Sequence, residues 1–198
     1  MRDKWYADNR DLVKWGALVH LAQKYGIHRI VQVAYYRADA EMPKLNVDNQ
    51  PPVDLPSSVW NHFRNLKLIH SLSEDTHITI DVLNDPFEKR FEYHRNILNK
   101  IKSYEDSKIV FLDPDTGLAP KNAKLEHVLE EELRDLWNSL RTNDWLVLYQ
   151  HEWRKKDWNV LAKERFQKVC NPSSAFHNFT SEKLASDVIL LCAKKSGS

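Results

Sequence analysis

The sequence predicts an α/β fold: a Rossmann-like three-layer sandwich with a mostly parallel sheet and a C-terminal antiparallel hairpin. Three observations point there. Short apolar runs at 30–36, 109–112 and 145–150 alternate with longer amphipathic stretches, as when crossover helices join strands. The run KIVFL breaks at once into Asp113-Pro114-Asp115-Thr116-Gly117, a strand covered on both faces that ends in a polar turn. The last two strand-like segments, 175–180 and 187–193, are separated only by SEKLAS, a hairpin link.

The elements follow in order. Residues 8–24 form a helix capped by Asp8, with a stripe of Leu12, Val13, Gly16, Ala17, His20 and Leu21 and a stop at Gly26. Residues 30–36 are a strand. Residues 37–56 are polar and carry Pro43, Pro51, Pro52 and Pro56, which predicts a long loop able to lid a pocket. Ser57 or Ser58 caps a short helix to about Leu66. Residues 66–72 and 77–83 read as strands, the second with β-branched residues in alternation. Pro86 suits the first turn of a helix that carries Phe87, Phe91, His94, Leu98 and Ile101 to about Tyr104. A helix over 122–140 presents Leu125, Val128, Leu129, Leu133, Leu136, Trp137 and Leu140. Another over 156–169 presents Trp158, Leu161, Ala162, Phe166 and Val169. The strands at 108–112 and 145–150 are expected side by side, parallel and central. One Rossmann-like domain over 1–195 is expected.

Composition narrows the function classes. Apolar residues at 42% are enough for a core, and a net charge of +1 makes no case for a global polyanion or membrane binder. No apolar run reaches membrane-spanning length. The stretch MRDKWYADNRD lacks the apolar centre of a signal peptide, and Cys170 and Cys192 sit in no CxxC pattern, so a cytoplasmic protein with two buried thiols is expected. With four glycines, none clustered, neither a P-loop nor a GxGxxG turn is present. HExxH and GxSxG are absent as well.

Chemistry-bearing residues gather at predicted strand ends, where open α/β sheets bind ligands. Asp113 and Asp115 flank a proline. Together they suit a hard cation such as Mg²⁺, or one of them suits an amine's hydrogens; equally, Asp113 is placed to cap its own turn. Tyr149-Gln150-His151-Glu152-Trp153-Arg154 ends the next strand. In it Gln150 offers an amide for a base or amine, His151 a general base or metal ligand, and Arg154 a phosphate contact. Near the N-terminus Asn9, Asp11 and Lys14 share a helix, where Asp11 and Lys14 are also spaced to pair with each other. Six basic and two acidic residues fall between Arg154 and Lys168, a solvated face or a phosphate contact.

ADNRDLVKWGALVHL, VFLDPDTGL and LYQHEWR together resemble an uncharacterised bacterial family that pairs a GDxGDxxKxGLL-like start with FLDPDxGL and YQHxxR-like motifs. More distantly, the chain resembles class I S-adenosylmethionine-dependent methyltransferases. The similarity is greatest to the ribosomal-RNA adenine-N6 enzymes, with DNRDLVKW standing for their GNxADxxKH-like helix and DPDT for their DPPY-like motif. That resemblance implies Asp113 as acceptor of the target amine's hydrogens, Asn9, Asp11 and Lys14 near S-adenosylmethionine, and a nucleic acid or nucleotide as substrate. The chain departs from the pattern twice. Arg37-Ala38-Asp39-Ala40 follows the first strand without a glycine, and Thr116 stands in place of the aromatic that stacks on a flipped base. Three functions therefore stay open: a methyltransferase-like enzyme, a Mg²⁺-dependent nuclease or phosphotransfer enzyme, and a non-catalytic binding protein on a degenerate Rossmann-like scaffold.

Overall fold

The computed structural model describes residues 8–37, 44–45, 51, 53–54, 56, 58–59, 66–120, 123–170 and 175–197. Its centre is a six-stranded sheet of β1 (Arg29–Val33), β2 (Thr79–Leu83), β3 (Ile109–Leu112), β4 (Trp145–His151), β5 (Phe176–Ser181) and β6 (Ala185–Lys194). The spatial order is β2-β1-β3-β4-β6-β5. The pairs β1–β2, β1–β3 and β3–β4 are parallel, and β6 runs antiparallel to both β4 and β5. The fold is thus Rossmann-like α/β, with β3 and β4 adjacent, parallel and central as expected. From β1 the chain moves to β2 on one side and then returns to β3 on the other. The switch point of the sheet lies between β1 and β3.

Helix α1 (Asn9–Tyr25) covers one face, and α2 (Arg90–Ser103), α3 (Glu130–Ser139) and α4 (Trp158–Cys170) cover the other. Alternation along each strand sorts the side chains between them. Ile109, Phe111, Trp145, Val147 and Tyr149 pack under α1, while Val110, Leu112, Leu146 and Leu148 pack under α2–α4. Continuous apolar runs were therefore the right signature: both faces of these strands are dry.

Helix α1 begins where Asp8 accepts hydrogen bonds from the Arg10 and Asp11 amides, and it stops at Gly26, whose φ of 63° suits glycine. Its buried stripe is Asp11, Val13, Lys14, Trp15, Ala17, Leu18, Leu21 and Ala22. The expected stripe was rotated from this: Leu12, Gly16 and His20 are exposed. Two charged residues occupy the buried face near the N-terminus of α1, which an apolar count cannot detect.

Other expectations are corrected. Residues 66–72 are no strand; a 3₁₀ helix, Leu66–Ser71, runs into a short α-helix, Leu72–Thr76. One buried side chain there, Ile69, meets the core under α1, so apolarity did not demand a sheet. Helix α2 starts at Arg90, not at Pro86, because Phe87 turns inward against Tyr35 and Tyr93. Helix α3 is shorter than 122–140. His127–Val128 instead pairs in parallel with Gly117–Leu118, a two-residue ladder. In the 37–56 stretch Lys44–Leu45 pairs antiparallel with Val53–Asp54, so it is not a plain loop. Most of its remaining residues, where the lid was expected, and most of the 57–66 helix lie outside the described residues. Among the described residues no helix is long and apolar enough to cross a membrane.

The small ladder carries a pH prediction. His127 is buried, and its Nδ1 accepts the Lys124 amide at 3.1 Å. Burial, more than any neighbour, lowers its pKa below the ordinary 6.5. Between the lowered and the ordinary value the unfolded chain binds more protons, so stability rises with pH through that window and levels off above it. A urea-midpoint series from acid to neutral pH should show this rise. His127→Asn, which keeps an acceptor without the titration, should flatten it; an unchanged slope would exclude His127 as the cause.

Candidate active site at the carboxyl ends of the central strands

A cavity of about 320 Å³ opens beyond the ends of β3 and β4, walled by Asp8, Arg10, Lys14, Arg37, Asp113–Thr116, Glu126, Tyr149 and His151. It lies at the switch-point end of the sheet and within the size range of small-ligand sites.

Asp113 is the first residue past β3. By strand alternation its side chain points to the α1 face, as do Gln32 on β1 and Tyr149 on β4. There its carboxylate meets Lys14, which is buried. Lys14 Nζ stands 3.0 Å from Asp113 Oδ1 and 3.0 Å from Asp11 Oδ1. The same ammonium lies 4.4 Å from the centroid of the Tyr149 ring. Gln32 Nε2 donates to Asp113 Oδ2 at 2.8 Å, and the Asp113 amide donates to Val33 O at 3.0 Å. Burial by itself would push the Lys14 pKa down, but Asp113 and then Asp11 outweigh it and hold it above its ordinary value. Burial raises the Tyr149 phenol, which Lys14 only partly opposes.

Asp115 faces a different cation. Arg37 Nη2 pairs with Asp115 Oδ2, and Arg37 Nη1 lies 3.7 Å from Glu126. At the opposite rim Asp187 Oδ2, from the hairpin, accepts Arg10 Nη2 at 2.5 Å and lies 3.1 Å from His151 Nε2. His151 Nδ1 is 3.2 Å from Glu152 O. Both ring nitrogens of His151 thus face protein oxygens, so the ring ties the end of β4 to the hairpin. Burial would raise the Asp187 pKa, but the bond from Arg10, with a smaller share from His151, lowers it.

The expected residues separate accordingly. Asp113, Asp115, Lys14 and His151 line the cavity, and Asp11 sits behind Lys14. Gln150 does not line it. Alternation sends Gln150 to the α2–α4 face, fully buried, where Oε1 accepts the Leu118 amide at 2.8 Å and Nε2 donates to Thr116 O at 2.9 Å. Its amide is spent on holding the turn after Asp113. Asn9 is exposed on a shallow neighbouring surface with Arg10 and Asp187, and Arg154 is exposed outside the cavity. Sequence reasoning missed Gln32, Arg10, Arg37, Glu126 and Asp187 as members of the site. Only Gln32 left a signal, a lone amide inside an apolar strand.

Among the described residues no cluster of three or more His, Cys, Asp or Glu side chains is placed to hold a metal ion. Asp113 faces Lys14, and Asp115 faces Arg37. S-adenosylmethionine has a carboxylate, an ammonium, a sulfonium and a ribose diol. The wall offers both signs: Arg10 and Arg37 suit the carboxylate, and Asp8, Asp115 and Glu126 suit the ammonium or diol. The donor set fits. The turn after β1 departs from the glycine-rich form in a specific way: Tyr35 takes φ 46°, its amide bonded to the Tyr93 hydroxyl at 3.0 Å and its ring 5.2 Å from Phe87. A buried aromatic cluster therefore holds a backbone bend that glycine adopts more readily.

No family model matches the chain, and no curated protein matches it significantly, so no family model stands behind the motif resemblance. Two solved structures are similar to it at low identity. One is a proposed rRNA methylase from Clostridium thermocellum, with 13% identity over 88% of this chain and 96% of that one, at a TM-score of 0.36. The other is PigF with SAH, with 11% identity over 94% of this chain, at a TM-score of 0.37. The chain spans 57% of PigF.

Proposed function

We propose that the chain is a methyltransferase-like enzyme whose strand-end cavity takes an exocyclic amine of a nucleic acid or nucleotide as methyl acceptor, with S-adenosylmethionine as donor. One observation carries this: a buried carboxylate, Asp113, at the end of a central strand, charge-compensated by Lys14 and oriented by Gln32 at the edge of a cavity of mixed charge.

The chemistry needs such a group. An amine attacking an electrophilic carbon gains positive charge at nitrogen, and a fixed carboxylate that accepts its N–H bonds stabilises that charge. Each Asp113 oxygen has a lone pair beyond the one given to Lys14 or Gln32. The Lys14 ammonium lies 3.0 Å from one oxygen of that carboxylate, and Gln32 fixes its plane. S-adenosylmethionine, when bound, supplies a methyl group on a sulfonium. Asp8, Asp115 and Glu126 make the surrounding wall acidic enough to tolerate that cation, while Arg10 and Arg37 give its carboxylate a partner.

The test is methyl transfer from labelled S-adenosylmethionine to adenine-containing RNA. Asp113→Asn should lower turnover by roughly a hundredfold, the size of losing one preorganised charge contact. Asp115→Asn should be milder, since that carboxylate pairs with Arg37. Calorimetric titration should show cofactor binding in wild type and in Asp113→Asn alike. No binding to wild type, or equal loss of turnover in the two variants, would sink the proposal.

A further inference from the structure

At the other end of the sheet, about 20 Å away along a seven-residue strand, cations and aromatic rings gather, and among the described residues no carboxylate pairs with these cations. Trp145 opens β4 and pairs in register with Lys194 at the end of β6. The His177 ring stacks on Trp145, with centroids 5.5 Å apart and planes 19° apart. Tyr25, the last residue of α1, packs on both, and its hydroxyl lies 2.7 Å from His177 Nε2. Lys24 Nζ stands 5.5 Å and Lys194 Nζ 6.0 Å from the centre of the Tyr25 ring.

These cations are uncompensated. Among the described residues neither Lys24 nor Lys194 makes an ion pair. The carboxylate next in sequence to Trp145, Asp144, is buried and committed to Lys108 at 2.9 Å. Burial, and then the charge of Lys24, lower the His177 pKa, which is consistent with a positive local potential. Lys24 is exposed, and Tyr25, His177 and Lys194 are half-exposed, so the rings and ammonium groups share one surface.

We infer that this surface binds single-stranded nucleic acid, with Lys24 and Lys194 on phosphodiester oxygens and the Tyr25 and His177 rings against a base. Unpaired cations beside accessible rings are the combination that single-strand binding uses: charge tracks the backbone, and the rings accept any base by stacking. It is carried by this surface alone and does not depend on chemistry in the cavity. A strand bound here would be gripped far from the cavity, at the opposite end of the sheet.

The test is direct binding of a fluorescently labelled single-stranded RNA 12-mer to the full chain across a salt series, with heparin and inorganic phosphate as competitors. Because no methyl transfer is read, failure of the cavity proposal leaves the outcome intact. Lys24→Gln with Lys194→Gln should weaken binding at least tenfold at low salt. It should also flatten the plot of log affinity against log salt by about 1.4, or about 0.7 for each lost phosphate contact on a single strand. Tyr25→Leu and His177→Leu should each cost about tenfold. Wild-type affinity and slope in the double lysine variant, with a circular dichroism spectrum matching wild type to show that it folds, would overturn the inference. Loss with the lysines but not with the rings, together with heparin competing as well as RNA, would also overturn it, leaving a generic polyanion patch.

Discussion

Replacing Lys14 by methionine should destabilise the protein by about 3–5 kcal/mol, because it removes the buried ammonium that Asp113 and Asp11 share. Asp113 and Asp11 are 1% and 4% exposed, so water cannot replace the lost partner. For a chain of this length that corresponds to roughly 6–20 °C in melting temperature. The sign with pH follows from the raised Lys14 pKa. A base whose folded pKa exceeds its unfolded value contributes fully below the unfolded value and loses that contribution only as pH rises through the folded one. Near neutrality the wild type therefore keeps the whole contribution, and the penalty in the variant should persist on the alkaline side. Lys14→Met with Asp113→Asn should recover part of the loss, since one buried charge has gone with its partner. Thermal melts of the single and double variants across pH check this. A single variant within 1 kcal/mol of wild type at neutral pH would mean the site is wetter than its burial implies.

Gly117→Ala should be comparably damaging for a different reason. Gly117 has φ 96°, where a side chain is strained by about 1–3 kcal/mol. A Cβ there would also stand 2.4 Å from Gln150 Oε1. Gln150 cannot retreat without giving up the Leu118 amide and Thr116 carbonyl. Each buried group left without a partner costs about 1–3 kcal/mol. The total is about 3–9 kcal/mol, and the displaced turn carries Asp115 and Thr116 out of the cavity wall. Gln150→Ala alone loses the bonds without the clash. In that background Gly117→Ala should cost only the backbone strain, so the two substitutions should be clearly less than additive. Denaturant unfolding of the four proteins measures this. Strict additivity would remove Gln150 as the reason for the glycine.

The strands of the central sheet were legible because burial on both faces leaves an uninterrupted apolar run, and Ile109–Leu112 and Trp145–Tyr149 have one each. Helix boundaries were legible where a cap is local, as at Asp8 and Gly26. The start of α2 was not, because Phe87 is held by Tyr35 and Tyr93 from distant parts of the chain. Residues 66–72 misled for the related reason that a short apolar run satisfies a helix packed on a core as well as a strand.

In the site, the sequence alone could find Asp113, because a carboxylate that ends a buried strand is anomalous in its own neighbourhood. It could also place Lys14 and Asp11 on one helix, three residues apart. Whether Lys14 would face water or Asp113 depended on how α1 is rotated against the sheet, which is set by Trp15, Leu18 and Leu21 packing beneath it. The parity of β4 then divided neighbours: Tyr149 and His151 toward the cavity, Gln150 away to brace Gly117. Arg37 with Glu126, and Arg10 with Asp187, meet across long stretches of chain. A charge on the surface leaves no periodic trace, so only the assembled sheet and the loops hung from its ends decide which opposite charges face each other.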